Sequence, residues 1–512
     1  MPTEPHSPAR APLLPRAVRR ALDVMRADPG HEWNVRELAR AASVSARTLQ
    51  RQFRSFLGKT PHAALSDLRF ETARRALLNS SPEAKVGNVA LMSGIPHHGR
   101  FAVDYRRRYG ETPSATLKRQ SVLCGVLAGK PAFFAPGRDR PIVALDALEA
   151  EPVNAEAARE MAHALATALT RAGVSVSHQT GAARYLLSGG MRGIGRDARL
   201  SLRLIDLETG RHLWSHRADG VFAEGAAPEE HLAARIAAGM QPYLRSAEID
   251  RARRKPEGEL NPHDLALKAM PGVLALDADG NARALDLLTR ATERDPEDAL
   301  AIALAAWAHA QRIVYHFTSA LQEERELGAD LARKARSLPG DATALAVLGN
   351  AYSLLRDIEA AEAVVSKALA TDGGSAWAWT RSGWIDVYKG ELEPAIERFK
   401  IALDLAPDDP HAFNAMVGIG CAHFHAGNYL EAAGWQERAL LEHPTAIWVN
   451  RTMAPAYLLG GDADNARRSA SALMKQYPGL TIAEVRQGLP PLPQSYCDRI
   501  FDALEHLGVP AS

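Results

Sequence analysis

Four polar side chains recur on one face of a single candidate helix: Arg47, Gln50, Arg51 and Arg54, at i, i+3, i+4 and i+7. An arginine fork pairs bidentately with guanine in the major groove, a glutamine amide pairs with adenine, and an outer arginine can hold a backbone phosphate. The opposite face carries Leu49, Phe53 and Phe56, an apolar stripe at helical spacing. Ser45 is placed to cap this helix, and with Thr48 it completes the first candidate DNA-binding set. Any solvated surface helix also shows a charged face opposite a buried one. The surrounding segments must therefore carry the argument.

They do so by repetition. FRSFLGKTPHAAL (53–65) and YRRRYGETPSATL (105–117) align at an offset of 52, pairing Gly58 with Gly110, Thr60 with Thr112, Pro61 with Pro113 and Leu65 with Leu117. Each copy ends a helix on a glycine able to turn left-handed and restarts with Thr before Pro. Upstream of the first copy, Leu38 and Ala39 face inward from one helix, Ala42-Ser43-Val44 make a turn, and the helix bearing Arg47 follows. The second copy gives a matching segment over about 97–108. There His97, His98 and Arg100 are available to bases, while Arg106, Arg107 and Arg108 can meet phosphate. At the shared offset Gly99 stands opposite Arg47 and Val103 opposite Arg51. Glycine costs about 1 kcal/mol in a helix interior and valine donates no hydrogen bond, so the second unit is expected to anchor more than it specifies. A metal site at His97-His98 lacks a third ligand.

The string LARAASVSARTLQRQFRSFLGKTP, then LRFETARRALL, then VALMSGIPHHGRFAVDYRRRYGETP resembles the AraC/XylS DNA-binding domain over about a hundred residues. That resemblance implies two helix-turn-helix units joined by a long helix, here about 62–78, entering successive major-groove segments on one DNA face. It also implies base reading by Arg47, Gln50 and Arg51. Val103 replaces an arginine usual in the second unit. Family members more often place the sensor before the DNA-binding unit, whereas here further domains follow it, so the effector is expected to be a protein or peptide.

The charge distribution agrees. The whole chain of 512 residues balances at +1, but residues 1–120 hold 21 Lys+Arg against 10 Asp+Glu, and the remainder holds 40 against 50. A basic module with a polyanionic partner, attached to an acidic body, follows. Three cysteines, Cys124, Cys421 and Cys497, are far apart and without CxxC spacing, which fits a reducing compartment. Residues 1–15 read as a disordered tail with no apolar signal region, and SVLCGVLAG (121–129) is less than half a membrane span. A cytoplasmic location without membrane attachment is expected.

Residues 121–140 read as a linker and 141–255 as a small α/β domain. In the latter, Leu200, Leu202 and Leu204 alternate, Glu208-Thr209-Gly210 turn, and Leu213-Trp214 return. This domain resembles the TolB-amino-terminal-like domain, a resemblance that implies no chemistry. GGMRGIG (189–195) lacks a following Lys-Ser/Thr and is read as a hairpin turn, not a phosphate loop.

From 256 to 486 the chain is Ala-rich with a period near 34: Ala368 and Ala402, or Gly427 and Gly461. It resembles tetratricopeptide repeats, with five units at about 264–296, 297–340, 341–374, 375–409 and 410–479, the last including a final helix pair, and Gly427 and Gly461 each closing a turn between paired helices. The resemblance implies a solenoid with a concave groove for protein or peptide. Trp377, Trp379, Trp384, Trp435 and Trp448 are read chiefly as packing residues; of Cys421, His423 and His425 only Cys421 and His425 share a helix face, and the three are not read as a metal site. Residues 487–512 are expected to cap the stack.

The fold class is therefore multidomain: an all-α paired helix-turn-helix domain, a small α/β domain and an α-solenoid of tetratricopeptide-like repeats. No GxSxG, HExxH or Walker motif is present, so no enzyme and no cofactor is expected. The expected function is sequence-specific DNA binding in transcription regulation. Double-stranded DNA is the expected partner, with a protein partner in the groove (RNA polymerase among the candidates) and a homodimer if one half carries the specificity. Two other readings stay open: a repeat scaffold, and an accessory protein of nucleotide signalling.

Overall fold

The computed structural model describes residues 15–31, 33–80, 84–96, 98–127, 140–177, 179–193, 198–219 and 229–512. The expected tail (1–14), most of the linker (128–139) and His97 lie outside the described residues. Two compact units result, one from the first 122 residues with 225–227, the other from the remainder.

Seven helices build the first unit: α1 (Arg16–Ala27), α2 (Val35–Ala41), α3 (Ala46–Leu57), α4 (Pro61–Leu78), α5 (Val86–Met92), α6 (His98–Tyr109) and α7 (Pro113–Leu127). Helix α4 serves two cores. Its first turns place Ala64 and Leu65 among Val18, Met25, Leu38, Leu49 and Phe53. Its later turns place Phe70, Ala73 and Leu77 among Val89, Ala90, Phe101 and Tyr105. Linker residues 121–127 instead extend α7, because VLCGVL lacks proline and the first one after it is Pro131.

In the second unit, β1 (Ile142–Leu145), β2 (Glu149–Ala150), α8 (Ala155–Arg171), β3 (Ser175–Ser177), β4 (Tyr185–Arg192), β5 (Arg199–Asp206), β6 (His212–Asp219) and α9 (Glu229–Arg254) come first. The sheet order is β3-β1-β4-β5-β6, with β2 also paired to β4. β1 runs parallel to β3 and β4, while β4, β5 and β6 are antiparallel. Leu200, Leu202 and Leu204 point into the core with Tyr185, Leu187 and Met191, facing Met161 and Leu165 of α8 and Ile236 and Met240 of α9. The turn reading of GGMRGIG holds at Gly193, which follows β4 at φ +83° in the antiparallel β4–β5 pair, but not at its first two glycines. Gly189 and Gly190 lie inside β4, where a Cβ at Gly189 would strike the Ser201 carbonyl and one at Gly190 would stand 2.8 Å from the Glu149 carbonyl. Close strand approach, not turning, demands those glycines.

Six helical hairpins follow: α10 (Pro262–Leu274) with α11 (Ala278–Arg294), α12 (Ala299–Val314) with α13 (Leu321–Ser337), and α14 (Ala342–Leu354) with α15 (Ile358–Thr371). The next three are α16 (Ala376–Lys389) with α17 (Leu392–Leu405), α18 (Ala412–His425) with α19 (Tyr429–Glu442), and α20 (Asn450–Leu459) with α21 (Ala463–Gln476). The span 410–479 holds two hairpins, the second being the expected final pair. Helices α22 (Ile482–Gly488) and α23 (Gln494–His506) end the stack, and Tyr496, Ile500, Phe501 and Leu504 of α23 join its core.

Non-neighbouring hairpins meet as well: Tyr315 lies 5.0 Å from Trp448, Trp307 lies 5.7 Å from His411, and the Arg451 guanidinium donates to the Val314 carbonyl at 2.9 Å. The α/β domain and the stack are also not separated, since α9 gives Ala233, Ile236 and Leu244 to the sheet's core and Ile249 and Ala252 to the hairpins'.

Candidate nucleic-acid interface

The first helix-turn-helix is built by local signals. Asn34 and Glu37 form a reciprocal capping box at the start of α2. Ser43 turns the chain at φ +57°, and the Val44 N–H donates to the Ala39 carbonyl at 3.0 Å. Ser45 then accepts from the Thr48 N–H at 3.1 Å, and the two hydroxyls lie 2.8 Å apart. The Ser45–Thr48 pair thus starts α3 and fixes its first turn. Gly58 closes α3 at φ +65°, and Thr60 caps α4 with Pro61 in its first turn.

Leu49 and Phe53 of α3 are fully buried, but Phe56 is 43% exposed. At about 100° per residue the buried stripe runs Ala46–Leu49–Phe53–Leu57, and Phe56 falls on its outer edge. Arg47, Gln50, Arg51 and Arg54 are all exposed on the far side. None of these three arginines has an ion-pair partner among the described residues.

The second unit keeps the frame. Gly94 turns at φ +75°, and the Ile95 N–H donates to the Ala90 carbonyl at 2.9 Å. Ser43 and Gly94 are 51 apart whereas Ala46 and His98 are 52 apart, so the second turn holds one residue more. A Cβ at Gly94 would also meet the Pro29 carbonyl at 2.8 Å and Arg69 Nε at 2.9 Å. Arg69, from the middle of α4, donates to Pro29 and His31 carbonyls at 2.8 and 2.9 Å. It ties the loop before α2 to the turn before α6, a positioning role not read from the sequence.

On α6, Phe101 and Tyr105 take the buried places of Leu49 and Phe53. His98 opens the helix. Its arginines are more committed than those of α3. Arg107 donates to Asp104 at 2.7 Å, and Arg100 lies 3.9 Å from the same carboxylate. Arg108 pairs with Asp67 and stacks over the Phe70 ring at 4.6 Å, which makes it a tether to α4. Arg106, at the place of Arg54, is exposed without an ion-pair partner among the described residues. Partial burial raises the Asp67 carboxyl, but hydrogen bonds and charge from Lys59 and Arg108 outweigh it and hold the group below the usual carboxylate range.

One ion pair is inverted between copies. Lys59 meets Asp67 at 2.7 Å on the surface; at offset 52, Arg119 meets Glu111 at 2.6 Å with both side chains buried. Thr116 and Arg74 also face Glu111, at 2.7 and 3.6 Å. Aligning charges as well as turn residues would have found this pair in the sequence.

Two helix-turn-helix units thus share helix α4, and each exposes one face of its second helix, α3 or α6, an arrangement like that of an AraC-type helix-turn-helix domain. A protein-family model described as a helix-turn-helix domain matches residues 38–119. The Probable thc operon regulatory protein of Rhodococcus erythropolis is 38% identical over 108 residues, 21% of this chain and 32% of that protein. The chain therefore spans about a third of that relative's length. A solved structure of a probable AraC family transcriptional regulator from Rhodopseudomonas palustris CGA009 is 30% identical at a TM-score of 0.20, covering 20% of this chain and 96% of that one. A chain of the APC/C hetero-tetramer Cut9-Hcn1 is 16% identical at a TM-score of 0.35, covering 50% of this chain and 48% of that one. Among the described residues no helix is long and apolar enough to cross a membrane.

Proposed function

We propose that the chain is a transcription regulator that binds duplex DNA through its paired helix-turn-helix module, with hydrogen-bond reading of bases concentrated in α3. The observation that supports this best is the exposed face of Arg47, Gln50, Arg51 and Arg54 on a capped helix, with no carboxylate paired to its guanidiniums. A charge left unpaired on a helix held rigid by its own core is ready for an external anion or base edge. The helix-turn-helix match and a relative named as an operon regulator support the same reading. In it, Arg54 and Arg106 hold phosphate, Ser45 and Thr48 set the helix start against the backbone, and His97, His98, Arg100 and Arg107 stand at the second half-site. The acidic body takes signal input, with a protein or peptide partner held by its helical repeats.

Selection of bound sequences from random duplex DNA tests this, using the full chain and a variant carrying Arg47→Ala and Arg51→Ala. The full chain is expected to enrich one motif and the variant to lose its best-defined positions. If the full chain enriches nothing, the regulator reading fails.

A further inference from the structure

Two oddities share one face of α6. Val103 is 65% exposed, though a branched apolar side chain gains nothing from water. Gly99, about one turn earlier in the first turn of α6, has no reason inside the protein to be glycine: a Cβ there would meet nothing within 4 Å, and its φ is not left-handed. The fold asks for neither residue. Both fall on reading positions, however, because Gly99, Ala102 and Val103 occupy the places of Arg47, Gln50 and Arg51. Phe101 and Tyr105, buried like Leu49 and Phe53, fix α6 in the same rotation as α3. Arg106 stands on the same face where Arg54 stands on α3.

We infer that Val103 reads a thymine through its 5-methyl group, and that Gly99 lets the α6 backbone come close enough for that contact. In the major groove the thymine methyl is the apolar mark that separates the base pairs, and small or apolar side chains are its partners. α6 then specifies by shape and apolar contact where α3 specifies by hydrogen bonds, which replaces the expectation that the second unit mainly anchors. The inference rests on the reading that α6 enters a major groove.

The test starts from the sequence the full chain selects. Each thymine is replaced singly by deoxyuridine, which lacks only the methyl, and affinity is measured for the full chain and for its Val103→Ala form. One thymine in the half-site covered by α6 is expected to lose about fourfold in affinity without its methyl, the worth of one buried methyl group. Val103→Ala is expected to lose about the same on the thymine site and nothing further on the deoxyuridine site. Gly99→Ala is expected to weaken binding about fivefold or more while leaving the module at least as heat-stable. If no thymine shows this dependence on Val103, or if Gly99→Ala binds as well as the parent, the inference is overturned while the α3 reading stands. If the full chain selects no sequence, both fall together.

Discussion

Helices α3 and α6 are two copies of one device that have kept their frame and parted on their faces. The left-handed glycines at 58 and 110, the Thr-Pro restarts and the buried pairs Leu49/Phe53 and Phe101/Tyr105 are held in common. Arg47, Gln50 and Arg51 on one helix become Gly99, Ala102 and Val103 on the other. Packing and backbone turns tolerate few residues at a given place, whereas an exposed position is constrained only by what it touches. A duplicated fold can therefore stay symmetric while its recognition becomes unequal.

The sharpest separation of the copies lies in their ion pairs. Glu111→Ala leaves Arg119 buried without its carboxylate and is expected to cost about 3–5 kcal/mol. Lys59→Ala breaks a pair whose side chains are 40% and 38% exposed and is expected to cost under about 1 kcal/mol. Urea unfolding of the full chain, followed by hydrogen exchange at α3 and α6, compares them; equal costs would break the asymmetry. Next in size is base discrimination. Arg47→Ala and Arg51→Ala should each lose about 1–3 kcal/mol at one base pair, whereas Arg100→Ala, near Asp104 in the free protein, should lose less. Competition between sites differing at single bases reads this out.

A symmetric pair serves as control. Arg54→Ala and Arg106→Ala should each weaken binding uniformly across sequences and lower the salt slope by about 1. A change of sequence preference at either would remove them from the phosphate set. The smallest effect concerns pH. The folded Asp67 carboxyl lies below its usual value, so its contribution to stability is present above about pH 3.9 and is lost as pH falls through the lowered value. Asp67→Asn should remove that dependence from unfolding curves between pH 6 and 3, at a cost under about 1 kcal/mol for so exposed a group.

Much of the module was legible because its signals are local. Ser45, Gly58, Thr60 and Pro61 act on their own turns, and the offset of 52 repeats them. Phe56 misled because helical spacing places a residue on a face but does not show where the neighbouring helix stops covering it. Gly189 and Gly190 misled because a glycine required by an approaching strand looks, in sequence, like one required by a turn. Turns at Gly427 and Gly461 carry the expected left-handed glycine and Gly390 shares it, but Leu276, His316 and Arg356 hold that conformation in the first three hairpins. Contacts between distant hairpins, such as Arg451 with Val314, 137 residues apart, span a distance no periodicity covers.

Helix α9 limits how the body can be cut. A fragment ending at residue 255 would keep the sheet but leave Ile249 and Ala252 bare to water, and one starting there would lack the helix that covers α10. The sheet and the hairpins should therefore melt as a single cooperative step, and a soluble piece of the body has to carry both.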